Sequence, residues 1–257
     1  VFDQVTTDTR ALNGGELFVA LTGDHYDGHD FIDEAKRSGA VAAMTSRPVD
    51  TDLPTLVVAD TRRSLGQLAG YWRGQFDIPM IAVTGSNGKT TVKEMMASIL
   101  RELGPTLSNA GNLNNEIGLP LTLLRMSEDH EYAVVEMGMN HAGEIRKLTR
   151  IAFPSVVVVL NAAPAHLEGL ADSTGVARAK AEIFAGLNDD GLAIINADDR
   201  FAVYWRARAR HHRTLTFGLD RPADVMADVS VDGEALELLI RLHNHSIEVK
   251  LNRLGRH

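Results

Sequence analysis

A short apolar run, Met80-Ile81-Ala82-Val83, leads into Thr84-Gly85-Ser86-Asn87-Gly88-Lys89-Thr90-Thr91; apolar Val92, Met95, Met96, Ile99 and Leu100 then recur at helical spacing. Strand, glycine loop and helix in direct succession leave few folds open. The glycines let backbone N–H groups turn inward around phosphate oxygens, and the helix N-terminus adds about half a unit of positive charge there. Lys89 can reach the β- and γ-phosphates of a nucleotide, and the Thr90 hydroxyl can bind Mg2+. Gly85, Ser86, Asn87, Gly88, Lys89, Thr90 and Thr91 are therefore the candidate nucleotide-binding residues. The first glycine of the strict G-x-x-x-x-G-K-[ST] pattern falls on Val83, a departure from it. A chance strand–turn–helix connection containing Gly-Lys-Thr is the competing reading. The coincidence of strand, loop, lysine, hydroxyl and helix weighs against it.

Beyond this motif, β-branched and nearly continuous apolar runs at 132–136, 155–161 and 192–196 alternate with helical stretches, one of them starting near Ser173. That pattern predicts an α/β fold whose central domain has a mostly parallel sheet flanked by helices. Ligands then bind at the C-terminal ends of the strands. Residues 220–252 read as irregular β structure. Ahead of residue 78, apolar runs at 17–21, 41–44 and 55–58 and helices over 30–38 (closed by Gly39) and 62–75 predict a small N-terminal α/β domain. Asp77-Ile78-Pro79 reads as a linker, giving domains 1–77 and 78–257.

Composition removes several function classes. A net charge of −8 argues against nucleic acid, which needs a basic footprint, and requires any phosphate site to be local. The absence of cysteine excludes disulfides, thiolate metal sites and a Cys nucleophile, and is compatible with the cytosol. No membrane-spanning helix or signal peptide is expected. Val1 and His257 both read as cut ends.

Three further groups carry chemistry. Glu136 ends an apolar strand, where a carboxylate ligand for Mg2+ belongs; an edge carboxylate or helix cap is the alternative. His166 follows the strand at 155–161 in Asn161-Ala162-Ala163-Pro164-Ala165-His166-Leu167-Glu168, and reads either as a metal ligand or as a satisfied histidine. Asn112, Asn114, Asn115 and Glu116 lie in a glycine-flanked cluster that either makes turns or hydrogen-bonds a substrate. Lys180, alone on a helix, reads as a solvated charge.

Taken together, residues 84–91, 111–118, Glu136-Met137-Gly138-Met139-Asn140-His141, 161–168 and Ala179-Lys180 resemble the motifs of the Mur ligase family over essentially the whole chain. The Met-Gly-Met-Asn-His continuation after Glu136 is similar to the branch that adds D-alanyl-D-alanine, whereas sister ligases are Ser-rich there. The resemblance implies an ATP-dependent ligase that joins D-alanyl-D-alanine to UDP-N-acetylmuramoyl-tripeptide through an acyl phosphate, in peptidoglycan precursor synthesis. It implies that Lys89, His166 and Lys180 are catalytic, and that Thr90, Glu136, His166 and Lys180 serve two Mg2+ ions, Lys180 as a carbamate. It also implies that Thr9, Arg10, Asp27 and His29, in Thr7-Asp8-Thr9-Arg10 and Asp27-Gly28-His29-Asp30, bind the UDP-sugar substrate; Asn112, Asn114 and Asn115 join them as substrate-binding candidates on the density of amides beside glycine. Turn chemistry and helix capping are the alternative for the N-terminal motifs. A cytoplasmic monomer acting on small molecules is expected. So is a C-terminal Rossmann-like domain absent from this chain, with an adenine-contacting helix beyond Gly255-Arg256-His257. A sister Mur or folylpolyglutamate-type ligase and a non-catalytic nucleotide-binding module remain open. A GTPase switch lacks its Asn-Lys-x-Asp motif.

Overall fold

The computed structural model describes residues 1–163, 172–232 and 235–251. Contacts divide them into two units, Val1–Asp77 with Asn109–His130, and Ile78–Ser108 with Glu131 onward.

In the first unit, β1 (Val5–Thr6), β2 (Leu17–Val19), β3 (Ala42–Thr45) and β4 (Thr55–Val57) form a parallel sheet in that order. Side chains alternate across a strand, so β2 feeds two cores. Phe18 and Ala20 pack with Ile32 and Ala35 of α1 (Ile32–Arg37). Leu17 and Val19 pack with Leu65 of α2 (Thr61–Arg73) and with Ile117 and Leu121 near α4 (Gly118–Leu123). Arg62 pairs with Glu116 at 2.8 Å, and the Trp72 Nε1–H donates to the Met126 carbonyl at 2.9 Å. A single cut after residue 77 therefore does not separate the packed units. Residues 109–130 return to cover the second face of the first sheet, which local sequence patterns do not reveal.

The second unit is a nine-stranded sheet. Its strands are β5 (Met80–Thr84), β6 (Thr106–Ser108), β7 (Tyr132–Glu136), β8 (Val156–Val159), β9 (Leu192–Asn196), β10 (Arg213–Gly218), β11 (Val225–Asp232), β12 (Ala235–Leu242) and β13 (His245–Leu251). The order is β13-β12-β11-β10-β9-β8-β5-β7-β6. All pairings from β6 to β11 are parallel. The last two are antiparallel, with β12 matched to β11 and β13 residue for residue. The stretch expected to be irregular is instead a regular meander. Val225, Ala227, Val229 and Val231 of β11 stand opposite Leu242, Ile240, Leu238 and Leu236 of β12, so the period-2 apolar pattern of such strands was present in the sequence.

Val83, Val134 and Val158 on one face of this sheet pack with Ala97, Val92 and Met96 of α3 (Lys89–Arg101). The alternate residues Ala82, Ala133, Val135, Val157 and Val159 are also buried, so both faces are covered. The remaining helices are α5 (Glu144–Ala152), α6 (Ser173–Lys180) and α7 (Ala202–Arg208), with a 3-10 segment at Ala181–Gly186. Strand β5 lies between β7 and β8, where the winding direction reverses. Loops at its C-terminal end therefore open into the crevice that such sheets use for ligands.

Candidate active site

Val83, where the strict motif has glycine, is fully buried in β5 opposite Glu136. The strand thus continues to Thr84, and the loop is compressed into residues 85–88. Two glycines are required by geometry. A Cβ on Gly85 would stand 2.9 Å from the Leu160 Cβ. Gly88 has φ +79°, a left-handed conformation that turns the chain into α3. Lys89 lies across the loop, its Nζ donating to the Ser86 carbonyl at 3.2 Å.

The neighbouring strands flank this loop. On the β7 side, the Thr84 hydroxyl donates to the Met137 carbonyl at 3.0 Å, and the Thr90 hydroxyl donates to Glu136 Oε2 at 2.6 Å. Glu136 is only 1% exposed. A buried carboxylate and a hydroxyl side by side are the hard oxygen donors that Mg2+ selects, so this pair fits that ion. Among the described residues, no group of three or more acidic or histidine side chains is placed to hold a metal. On the β8 side, Asn161 Oδ1 accepts from the Ser86 N–H at 2.9 Å and the Asn87 N–H at 3.0 Å.

Lys180, the last residue of α6, is buried at 2% exposure. Burial, reinforced by the positive charge of Lys89, lowers its pKa to about 7. The helix does not carry a solvated charge there, contrary to the expectation from the isolated lysine. Its seat is rigid. The indole N–H of buried Trp205 in α7 donates to the Ala177 carbonyl at 3.0 Å. Glu182 accepts from the backbone N–H groups of Gly143 at 2.8 Å and Arg146 at 3.2 Å, fastening the 3-10 segment to the start of α5.

Lys89, Thr90, Glu136 and Lys180 therefore all belong to the second unit, with Thr90 bonded to Glu136 and Lys89 within electrostatic reach of Lys180. His166 lies outside the described residues. Asn161 is the functional candidate that residue-type reasoning left without a role. An asparagine ending an apolar strand beside the loop strand was the available signal.

The other candidates belong to the first unit. Asp8 caps the 3-10 turn Thr9–Ala11 and pairs with the exposed Arg10, whose guanidinium holds the Asp8 carboxyl below its usual range. Thr9 donates to Glu34 at 2.7 Å. Asp27 caps Gly28–Phe31 through the His29 N–H and contacts His29 Nδ1 at 2.5 Å and Arg47 at 2.9 Å. His29 Nε2 accepts from the Ser46 N–H at 2.9 Å, which places the ring proton on Nδ1, facing Asp27. The hydrogen bonds of its N–H and of its ring hold the Asp27 carboxyl well below the usual carboxylate range, with Arg47 adding to it. Asn115 Oδ1 accepts from the N–H groups of Ile117 and Gly118 at the start of α4, and the Asn112 carbonyl accepts from the Asn114 N–H. Capping and turn chemistry thus occupy much of this set.

A glycine loop at the winding reversal of a parallel sheet, followed by lysine, hydroxyl and a buried strand-end carboxylate, defines a P-loop-type phosphate-binding α/β protein. Residues 83–257 match the Mur ligase middle domain, and residues 1–72 match the Mur ligase family catalytic domain. The chain belongs to the Mur ligase family. It is 46% identical over 257 residues to the UDP-N-acetylmuramoyl-tripeptide–D-alanyl-D-alanine ligase of Escherichia coli, covering 99% of this chain and 57% of that protein. A MurF crystal structure from Acinetobacter baumannii superposes with a TM-score of 0.94 at 39% identity, covering all of this chain and 56% of the other. The MurF of Thermotoga maritima in complex with ADP superposes at 0.88 with 32% identity, covering 98% and 58%. The chain spans little more than half the length of these relatives. Among the described residues no helix is long and apolar enough to cross a membrane.

Proposed function

We propose that this chain is the nucleotide-binding part of an ATP-dependent ligase that joins D-alanyl-D-alanine to UDP-N-acetylmuramoyl-tripeptide. The observation that carries the reading is the contact of Thr90 with buried Glu136 beside the lysine of a phosphate loop. The relatives named for this reaction, and the MurF that holds ADP, support the same assignment.

In this reading Lys89 and the first-turn amides of α3 bind the β- and γ-phosphates and neutralise charge as the phosphoryl group transfers. The peptide's terminal carboxylate attacks the γ-phosphorus, ADP leaves, and an acyl phosphate forms. The amine of D-alanyl-D-alanine then attacks the acyl carbon, phosphate leaves with the bonding electrons, and the amine gives up a proton. Thr90 and Glu136 would hold one Mg2+, which supplies Lewis-acid stabilisation of the phosphates. His166 would serve a second ion together with Lys180. A lysine with a pKa near 7 is half neutral at physiological pH, so its amine can attack CO2, lose a proton and become an anionic carbamate. Thr9, Arg10, Asp27, His29, Asn112, Asn114 and Asn115 would face the UDP-sugar peptide. The enzyme would act in the cytoplasm as a monomer.

Phosphate release by the full-length protein with Mg-ATP, omitting one substrate at a time, tests the proposal. Release that needs both the UDP-muramoyl tripeptide and D-alanyl-D-alanine, and that disappears in Lys89→Ala, supports it. Release with a different amino acid replaces the substrate assignment. No release with any pairing, or full activity in Lys89→Ala, overturns the scheme.

A further inference from the structure

Asn161 forms an unusual set of bonds for a residue with no assigned role. Its Oδ1 accepts from the N–H groups of Ser86 and Asn87, and its Nδ2–H donates to the Asn87 carbonyl at 3.1 Å. Two N–H donors and one carbonyl fix which way the amide points. The Asn161 carbonyl also accepts from the Ser86 N–H at 3.1 Å. The carboxamide therefore closes the tip of the phosphate loop as a neighbouring strand would.

The same short segment is held from two sides. The Ser86 hydroxyl donates to the Ala163 carbonyl and accepts from the Ala163 N–H, both at 3.1 Å. From the β9 end, Asn196 Nδ2 donates to the Leu160 carbonyl at 2.8 Å, and Asp199 accepts from the Ala162 N–H at 2.9 Å. The exit of β8 is thus a strap between the phosphate loop and the β9 exit.

We propose that Asn161 is a positioning residue for the nucleotide's phosphates. It consumes the Ser86 and Asn87 amides and holds the loop tip back, so that phosphate meets the first-turn amides of α3, which have no partner inside a helix. The assignment rests on the nucleotide reading above. The contacts at Asn87 are exposed to water, so they add little to folding and act chiefly on loop order. Pre-ordering the loop removes a cost that phosphate binding would otherwise carry.

Calorimetric titration of the full-length protein with Mg-ATP and with adenosine tests this, comparing wild type, Asn161→Ala and Asn161→Ser. Asn161→Ala should weaken ATP about tenfold, raising KM for ATP more than it lowers kcat, while adenosine, which has no phosphates, shifts less than about twofold. A folded Asn161→Ala that binds ATP like wild type, or that loses ATP and adenosine equally, overturns the inference. If Asn161→Ala does not fold, Asn161→Ser decides, since it keeps a polar side chain that is too short to bond the loop amides. A loss confined to ATP supports the inference, and unchanged ATP affinity overturns it. A wild type that binds no Mg-ATP at all removes the nucleotide reading itself, and this inference with it.

Discussion

The Thr90 hydroxyl donates to Glu136 at 2.6 Å, joining the first turn of one helix to the end of a strand 46 residues further along the chain. Both side chains reach the same point because β5 and β7 are parallel neighbours with Val83 opposite Glu136. Parallel strands deliver their C-terminal ends to one edge, so residues distant in sequence meet there.

If this pair shares a cation, Glu136→Gln should lower kcat/KM by about 10²-fold and raise the Mg2+ concentration needed for half-maximal rate. Combining it with Thr90→Ala should cost less than the sum of the two single losses, because both changes disable one site. A Mg2+ titration of phosphate release reads both effects. An unchanged Mg2+ requirement in Glu136→Gln refutes the shared site.

Lys180 makes a pH-dependent prediction. Its folded pKa is lowered to about 7 from the ordinary lysine value of 10.5, so between these values the unfolded chain binds more protons than the folded one. Stability attributable to this residue therefore rises with pH across that window, and the burial penalty is fully present below about pH 7. Lys180→Met should raise the melting temperature at pH 6–7, flatten the pH dependence above it, and abolish ligation. Thermal melts across pH check this, and a lower melting temperature for the variant at pH 6 contradicts it.

Asp27 anchors a buried histidine. Asp27→Ala removes a cap and leaves the His29 Nδ1–H without its acceptor, a loss of about 2–3 kcal/mol in urea unfolding. Because the folded carboxyl is held below its ordinary value, its contribution is present above that value and fades as pH falls towards the folded pKa. An unchanged unfolding midpoint would mean that these bonds do not stabilise the unit.

Gly186 lets two segments touch. A Cβ there would stand 2.3 Å from the Thr149 backbone, and the Thr149 hydroxyl already donates to the Ile183 carbonyl at 2.9 Å. Gly186→Ala should push α5 from the segment that follows Lys180, costing about 1–3 kcal/mol and lowering kcat through displacement of that lysine. Denaturant melts and steady-state kinetics together test it; wild-type values in both would show that the contact relaxes freely.

Local pattern was enough to identify the strand–loop–helix, the apolar strands β7 and β9, and Glu136 as a strand-end acid, since each depends on periodicity and turn chemistry within a few residues. It was not enough for Lys180, Asn161 or residues 109–130. A lysine is a solvated charge until the fold buries it, as it buries Lys180, and an asparagine is a turn former until a neighbouring strand presents the loop amides to it. The composition and order of the short-range signals settle that a phosphate loop forms. Which residues surround it depends on strand order, because only the folded sheet places the ends of β5, β7 and β8 side by side.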